Sequence, residues 1–268
     1  MTSFIGYAIA GLIFGAVMLV LFRHGDAAVP SAVRERLPGT GGEVGPRALL
    51  EVFGHAVDRL FGTDAFSLRF IFAALVLSLF AFAVFFATYL LRIPDFAASL
   101  MDDAYQRGAV GKQIFFMFIP ANAVISYLSL AYSRDVMLQM EHADSTPRLT
   151  LLLIKDVAMK LAIVAFGMAL VYLVLAGRGA FESSSKEALL AVPEVLWGAM
   201  RFGNLNCVYV YSSLVTSVWL WAWLLSGQVA ASRHLPSAFA HDTHPVRALA
   251  LQAAVIAALI YWAAAIIT

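Results

Sequence analysis

Charge is scarce in this chain: Lys, Arg, Asp and Glu make up only 13% of its 268 residues, about half the share of a soluble domain. That scarcity excludes a surface wetted all round in the ordinary way. Cysteine is scarcer still. With Cys207 alone, no internal disulfide and no cysteine-built zinc site can form, and redox compartment cannot be inferred. The formal charge is +1, from 18 Lys and Arg against 17 Asp and Glu, so the concentrated basic face of a nucleic-acid binder is missing and nucleic acid is not an expected partner. Several catalytic signatures are absent as well: no P-loop, no HExxH, no GxSxG and no paired CxxC. Lysine occurs only at Lys112, Lys155, Lys160 and Lys186, and this bias to Arg, with abundant Ala, is the habit of GC-rich bacterial genomes.

What fills the chain is apolar. Hydrophobic residues reach 62% and the mean hydropathy is +0.83, more apolar surface than a soluble fold of this length can hide. Lipid is the natural solvent for the excess. The expected fold is an all-α polytopic bundle over 1–268, a single integral membrane domain with the bilayer as its first partner. Six runs approach the length needed for a hydrocarbon layer of ~30 Å at ~1.5 Å per residue: 4–22, 70–91, 114–131, 157–176, 207–226 and 248–267. The second is the clearest, with no charge between Arg69 and Arg92. The third is the weakest, since Pro120 and Asn122 interrupt it, and five spans result if it does not insert. Pro120 is expected in its first two turns, where a lost hydrogen bond does least harm.

Sidedness follows from Lys and Arg. Loops after runs one, three and five carry Arg23, Arg34, Arg36, Arg47, Arg59, Arg69, Arg134, Arg148, Lys155, Arg233 and Arg247. Loops after runs two and four carry fewer: Arg92, Arg107, Lys112, Arg178, Lys186 and Arg201. The positive-inside rule puts the first group in the cytoplasm and exports both termini across an inner (plasma) membrane. Met1-Thr2-Ser3 has no basic residue and the apolar run after it is long, so the first run reads as an uncleaved span rather than a signal peptide.

Between runs one and two, 25–45 is a flexible connector rich in Gly and Pro, and 46–61 reads as an amphipathic helix. Leu49, Leu50, Phe53, Val57, Leu60 and Phe61 share one face, with Arg47, Glu51, Asp58 and Arg59 opposite. Such a helix lies in the headgroup layer as an elbow before run two, its end marked by Gly62. Residues 186–202 form a similar segment broken at Pro193. Two hairpins also echo each other. Arg134, His142, Asp144, Pro147 and Arg148 follow run three, while Arg233, His241, Asp242, Pro245 and Arg247 follow run five. A parallel repeat of the transporter kind is one source of that pattern. The ordinary composition of cytoplasmic hairpin loops is the simpler one.

Polar residues in the apolar runs are the more informative group. Asn122 beside Pro120 reads as a helix-packing contact or a solute contact. Ser126, Ser129, Ser212, Ser213, Thr216 and Ser217 can bond to their own helix backbone and need no function. Asp156 and Lys160 stand four apart on one helical face and can pair; Lys160 is otherwise expected to stretch its ammonium to the interface. His142, Asp144, His241 and His244 are the weak metal-ligand candidates, with solvated loop histidines the simpler reading. Gly11 and Gly15 form a GxxxG, which lets a second helix approach closely, within the chain or from another copy. Trp219, Trp221 and Trp223 mark an aromatic belt.

From sequence, the expected role is a non-enzymatic membrane subunit, anchor or assembly partner, working as a homo-oligomer or in a membrane complex. It rests on the elbow, the small-residue faces and the lack of intramembrane acids. The alternative is a small transporter or channel built from paired hairpins, with Asn122 and Lys160 near the path. A membrane-embedded metal enzyme using the loop His and Asp residues comes last. No cofactor is implied, the chain reads as no enzyme, and any small-molecule ligand is unspecified.

Overall fold

The structure, a computed structural model, describes residues 2–26, 54–55, 57–143, 145–177, 185–217, 251, 254–255, 257–259 and 261–263. Among them the regular elements are all helices. In chain order they are α1 (Thr2–Asp26), α2 (Leu68–Arg92), α3 (Pro94–Asp102), α4 (Ala104–Gln113), a π-turn (Ile114–Phe118), α5 (Ile119–Glu141), α6 (Thr146–Gly177), α7 (Ser185–Leu190), α8 (Val192–Met200) and α9 (Cys207–Val215). Three described helical stretches are long and apolar enough to cross a membrane: Leu68–Arg92, Arg107–Met140 and Pro147–Val174. They correspond to the second, third and fourth apolar runs. Of run five, residues 207–217 are described, and of run six only scattered helical residues between 251 and 263.

The third span is longer than the sequence suggests. Helix continues upstream through α4, so Pro120 sits far inside a stretch of 34 residues rather than in its opening turns. Proline has no N–H to give to the carbonyl four residues back, and its ring crowds that turn. The chain answers by widening: Ile114–Phe118 is π-helical, and the Ile119 N–H donates to the Ile114 carbonyl, five residues back. A π-turn relieves such a clash without breaking the rod.

Each turn before the second span has a local cause. Gly62 has φ +98°, the left-handed conformation that suits glycine, and its N–H donates to the Asp58 carbonyl. Asp64 Oδ1 accepts from the Phe66 N–H at 2.9 Å. Ser67 then caps α2, its Oγ accepting from the Phe70 N–H at 3.2 Å. This elbow is clamped to α5. Arg134 donates through Nε (3.3 Å) and Nη2 (3.0 Å) to Asp58 Oδ1, and Tyr127 donates to the Ala65 carbonyl at 3.1 Å. Asp58, expected on the solvent face, is therefore spent on a helix neighbour. Val57 and Phe61 are buried in the bundle. The rest of 46–61 lies outside the described residues, save 54–55 and 57–61.

The core forms where α2, α5, α6 and α9 meet. Phe85 stacks on Tyr211, which stacks on Phe202, and Phe118 stacks on Tyr209 with ring centroids 5.4 Å apart. Large side chains such as Phe72, Phe115, Phe116 and Phe166 face outward, as lipid-facing positions of a bundle do. The GxxxG of α1 is used inside the chain. Gly11 abuts the Trp262 indole, and a Cβ at Gly15 would stand 3.0 Å from the Ala254 carbonyl oxygen. Trp262 Nε1 donates to the Tyr7 carbonyl at 3.3 Å, and Thr88 and Tyr261 share a hydrogen bond of 2.6 Å. Pro193 falls in the first turn of α8, with the break in 186–202 at Ala191 between α7 and α8.

Candidate functional site

Asn122, Ser126, Ser129 and Ser133 recur on α5 at spacings of four, three and four, the period of an apolar packing seam. All are buried. Twelve residues of helix carry them over about 16 Å, half the thickness of a hydrocarbon layer. They are a polar stripe where lipid chemistry favours an apolar one.

Helices α6 and α9 complete it. Asp156 and Lys160 lie on α6 with side chains 1% and 0% exposed, and Lys160 Nζ donates to Asp156 Oδ2 at 2.8 Å. Ser133 donates to Asp156 Oδ1 at 3.0 Å. Ser217 donates to Asp156 Oδ2 and accepts from Lys160 Nζ. Each carboxylate oxygen thus accepts from a hydroxyl, Ser133 of α5 or Ser217 just beyond α9, and Ser217 also takes the ammonium. Ser129 and Ser213 then share a hydrogen bond of 2.7 Å across α5 and α9. The Lys160 ammonium is buried among the helices and turned toward Asp156, the pairing expected from their spacing. Asp156, four residues before Lys160, was expected to stand just outside the fourth span. It lies ten residues, about 15 Å, into a continuous helix of 32 residues, inside the Pro147–Val174 spanning stretch. Burying two charges costs several kcal/mol each unless they are paired and hydrogen-bonded, so the hydroxyl set is what makes the arrangement tenable.

Further along the stripe the pairing gives out. Asn122 Nδ2 donates to the Ser78 carbonyl (3.2 Å) and to Ser78 Oγ (2.8 Å) on α2. Since a carbonyl can only accept, this contact fixes the amide orientation and leaves Asn122 Oδ1 facing elsewhere. Among the described residues, five buried side-chain atoms have no hydrogen-bond partner: Asn122 Oδ1, Ser126 Oγ, Tyr132 Oη, Tyr209 Oη and Ser212 Oγ. Each such atom costs about 1–3 kcal/mol. The expectation that the serines bond to their own backbone therefore holds at one place only, Thr216, whose Oγ1 donates to the Ser213 carbonyl at 2.7 Å.

The chain matches no protein-family model, no curated protein and no solved structure.

The remaining sequence candidates divide. His142 is exposed, with Nδ1 2.8 Å from the carbonyl of Leu138. Asp144, His241 and His244, the other weak metal-ligand candidates, lie outside the described residues, as do the second hairpin and Trp219, Trp221 and Trp223. Among the described residues no group of three His, Cys, Asp or Glu side chains stands close enough to hold a metal. Asp103 starts α4, its Oδ1 accepting from the Tyr105 N–H at 2.8 Å. Ser133 is the residue that sequence reasoning passed over. It falls beyond the apolar run, although its distance from Ser129 repeats the distance from Asn122 to Ser126.

Proposed function

We propose that this protein is a small transporter or channel of six spans in an inner (plasma) membrane, with its path along the polar seam of α5, α6 and α9. The observation that carries the reading is the Asp156–Lys160 pair, buried and clasped by Ser133 and Ser217. Intramembrane ionisable residues mark pathways and relays more often than they mark packing. Chemically, the pair suits a gate. A proton or cation arriving at Asp156 competes with the Lys160 ammonium for the carboxylate, and the two hydroxyls are placed to accompany either partner. The six-span count adds runs 207–226 and 248–267, and run 4–22, to the three long helices. Exported termini follow from the Lys and Arg distribution, and a cytoplasm-only reporter fused at Thr268 should be silent.

Of the three features behind the reading of the chain as a subunit or assembly partner, two argue for it less strongly. Gly11 and Gly15 are in contact with the chain's own C-terminal residues, and an acid does lie in a spanning helix. The metal-enzyme reading finds no assembled ligands among the described residues. The test is flux into proteoliposomes of purified protein, scored with a pH-sensitive dye and with radioactive alkali cations. Asn122→Leu should abolish flux while the protein still elutes as a folded species. The double variant Asp156→Leu/Lys160→Met removes both charges without orphaning either, and should fold and conduct nothing. Full flux through that double variant would reduce the pair to a packing device and end the proposal.

A further inference from the structure

The paired half of the seam explains itself; the unpaired half does not. Asn122 and Ser126 are four apart on α5, and Tyr209 and Ser212 are three apart on α9, so each couple shares a helix face. Two cross-helix contacts bracket them. Phe118 stacks on Tyr209 at one end, and Ser129 bonds Ser213 at the other. Positions rise together along the two chains in these contacts, so both couples fall within the stretch that the same two contacts bracket. Ser78 of α2 closes the group through Asn122 Nδ2. All five side chains are nine-tenths buried or more.

The free atoms at this junction are oxygens: Asn122 Oδ1, Ser126 Oγ, Tyr209 Oη and Ser212 Oγ. The nitrogen of the one amide present is engaged by Ser78. An amide oxygen that can only accept repels an anion and welcomes a hard cation. Carboxylate is absent from the set; Asp156 is held by Ser133, Lys160 and Ser217 further along the seam. Neutral oxygens without a carboxylate are too weak a field to strip a divalent ion of its water, whereas sets of carbonyl and hydroxyl oxygens do replace the hydration shell of a monovalent one.

We infer that Ser78, Asn122, Ser126, Tyr209 and Ser212 form an intramembrane binding site for a dehydrated alkali cation. The site deepens the transport reading by naming what the seam carries. Equilibrium binding of radioactive sodium and rubidium to the full-length protein in mild detergent tests it apart from flux. Saturable binding of one or both is expected, displaced by the other alkali ion and unmoved by equimolar calcium. Ser126→Ala and Ser212→Ala, each losing one hydroxyl, should weaken it about tenfold, equivalent to about 1.4 kcal/mol. Asn122→Leu should abolish it; helical content and elution volume report whether that variant has folded, and the alanine variants carry the test if it has not. Binding without flux would leave the site standing and refute transport. Flux without alkali binding, or binding untouched by the alanine variants, would refute the site. Stronger binding of calcium than of sodium would refute it equally.

Discussion

Removing one member of the Asp156–Lys160 pair should damage the protein far more than removing both. In Asp156→Asn the Lys160 ammonium keeps Ser217 and loses its counter-charge, while remaining buried where no water replaces it. In Lys160→Met the carboxylate keeps Ser133 and Ser217 but stands unneutralised. Breaking a buried pair from one side costs about 3–5 kcal/mol. An unpaired Lys at mid-membrane is placed near the lower end of that range, ~3 kcal/mol, by insertion scales. The double variant Asp156→Leu/Lys160→Met exchanges a solvated-by-hydroxyl pair for apolar side chains of similar volume, and such exchanges are often neutral or favourable. The expected coupling across the cycle is therefore several kcal/mol, with the double variant close to wild type. Reversible unfolding in mixed detergent micelles, followed by helical circular dichroism, measures it on all four proteins. Single variants within about 0.5 kcal/mol of wild type would refute the reasoning, because that is the behaviour of a pair already in contact with water.

Other expectations are more local. Arg134→Ala should cost only about 0.5–1 kcal/mol and lose part of that in high salt, since its pair with Asp58 is half-exposed, at 19% and 38%; a shift in the unfolding midpoint against Asp58→Ala and the double variant checks it. Gly15→Leu places a side chain where even a Cβ meets the Ala254 carbonyl at 3.0 Å, so overpacking of about 1–3 kcal/mol should appear as faster proteolysis between α1 and the bundle. Pro120→Ala restores the missing N–H, and the π-turn should close to α-helix, rotating the residues before it by about 100° relative to α5. Cysteine labelling at positions 115 and 116, both outward in the wild type, would report the rotation, and unchanged labelling would show that the π-turn has another cause. Ser126→Ala and Ser212→Ala should leave the melting temperature level or raise it, each removing an unpartnered buried atom; a drop beyond about 1 kcal/mol would mean that these hydroxyls are bonded after all.

Composition and run length made the membrane class legible, because a chain with so little charge has no other solvent. Three of the expected spans appear as long helices, and the i,i+4 spacing of Asp156 and Lys160 identified a pair that the structure brings to 2.8 Å. The stripe on α5 was hidden for a physical reason. Serine is small and nearly neutral on transfer scales, so Ser126, Ser129 and Ser133 barely dent a hydropathy window, and only their recurrence with Asn122 at core spacing gives them away. The full burial of Lys160 was hidden on similar grounds. Its stem is long enough to reach an interface, and nothing local says that the hydroxyls of Ser133 and Ser217 stand ready beside Asp156. The elbow ahead of α2 was legible as far as its stop at Gly62; the turn at Asp64 and the cap at Ser67 were not.

The contrast between the two halves of the seam bears most on function. If the polar stripe served packing alone, an apolar stripe at the same positions would do so at lower cost, because lipid offers no water to any group left unpaired. The half around Asp156 at least answers that objection by giving both carboxylate oxygens and the ammonium hydrogen-bond partners. The half around Asn122 does not, and leaves buried oxygens of α5 and α9 without partners. Selection tolerates a destabilising arrangement chiefly where activity requires it. A packing role thus accounts for the satisfied half and fails on the unsatisfied one, whereas on the proposed transport reading a conducted cation would account for both: the free oxygens would receive it, and the Asp156–Lys160 pair would gate it.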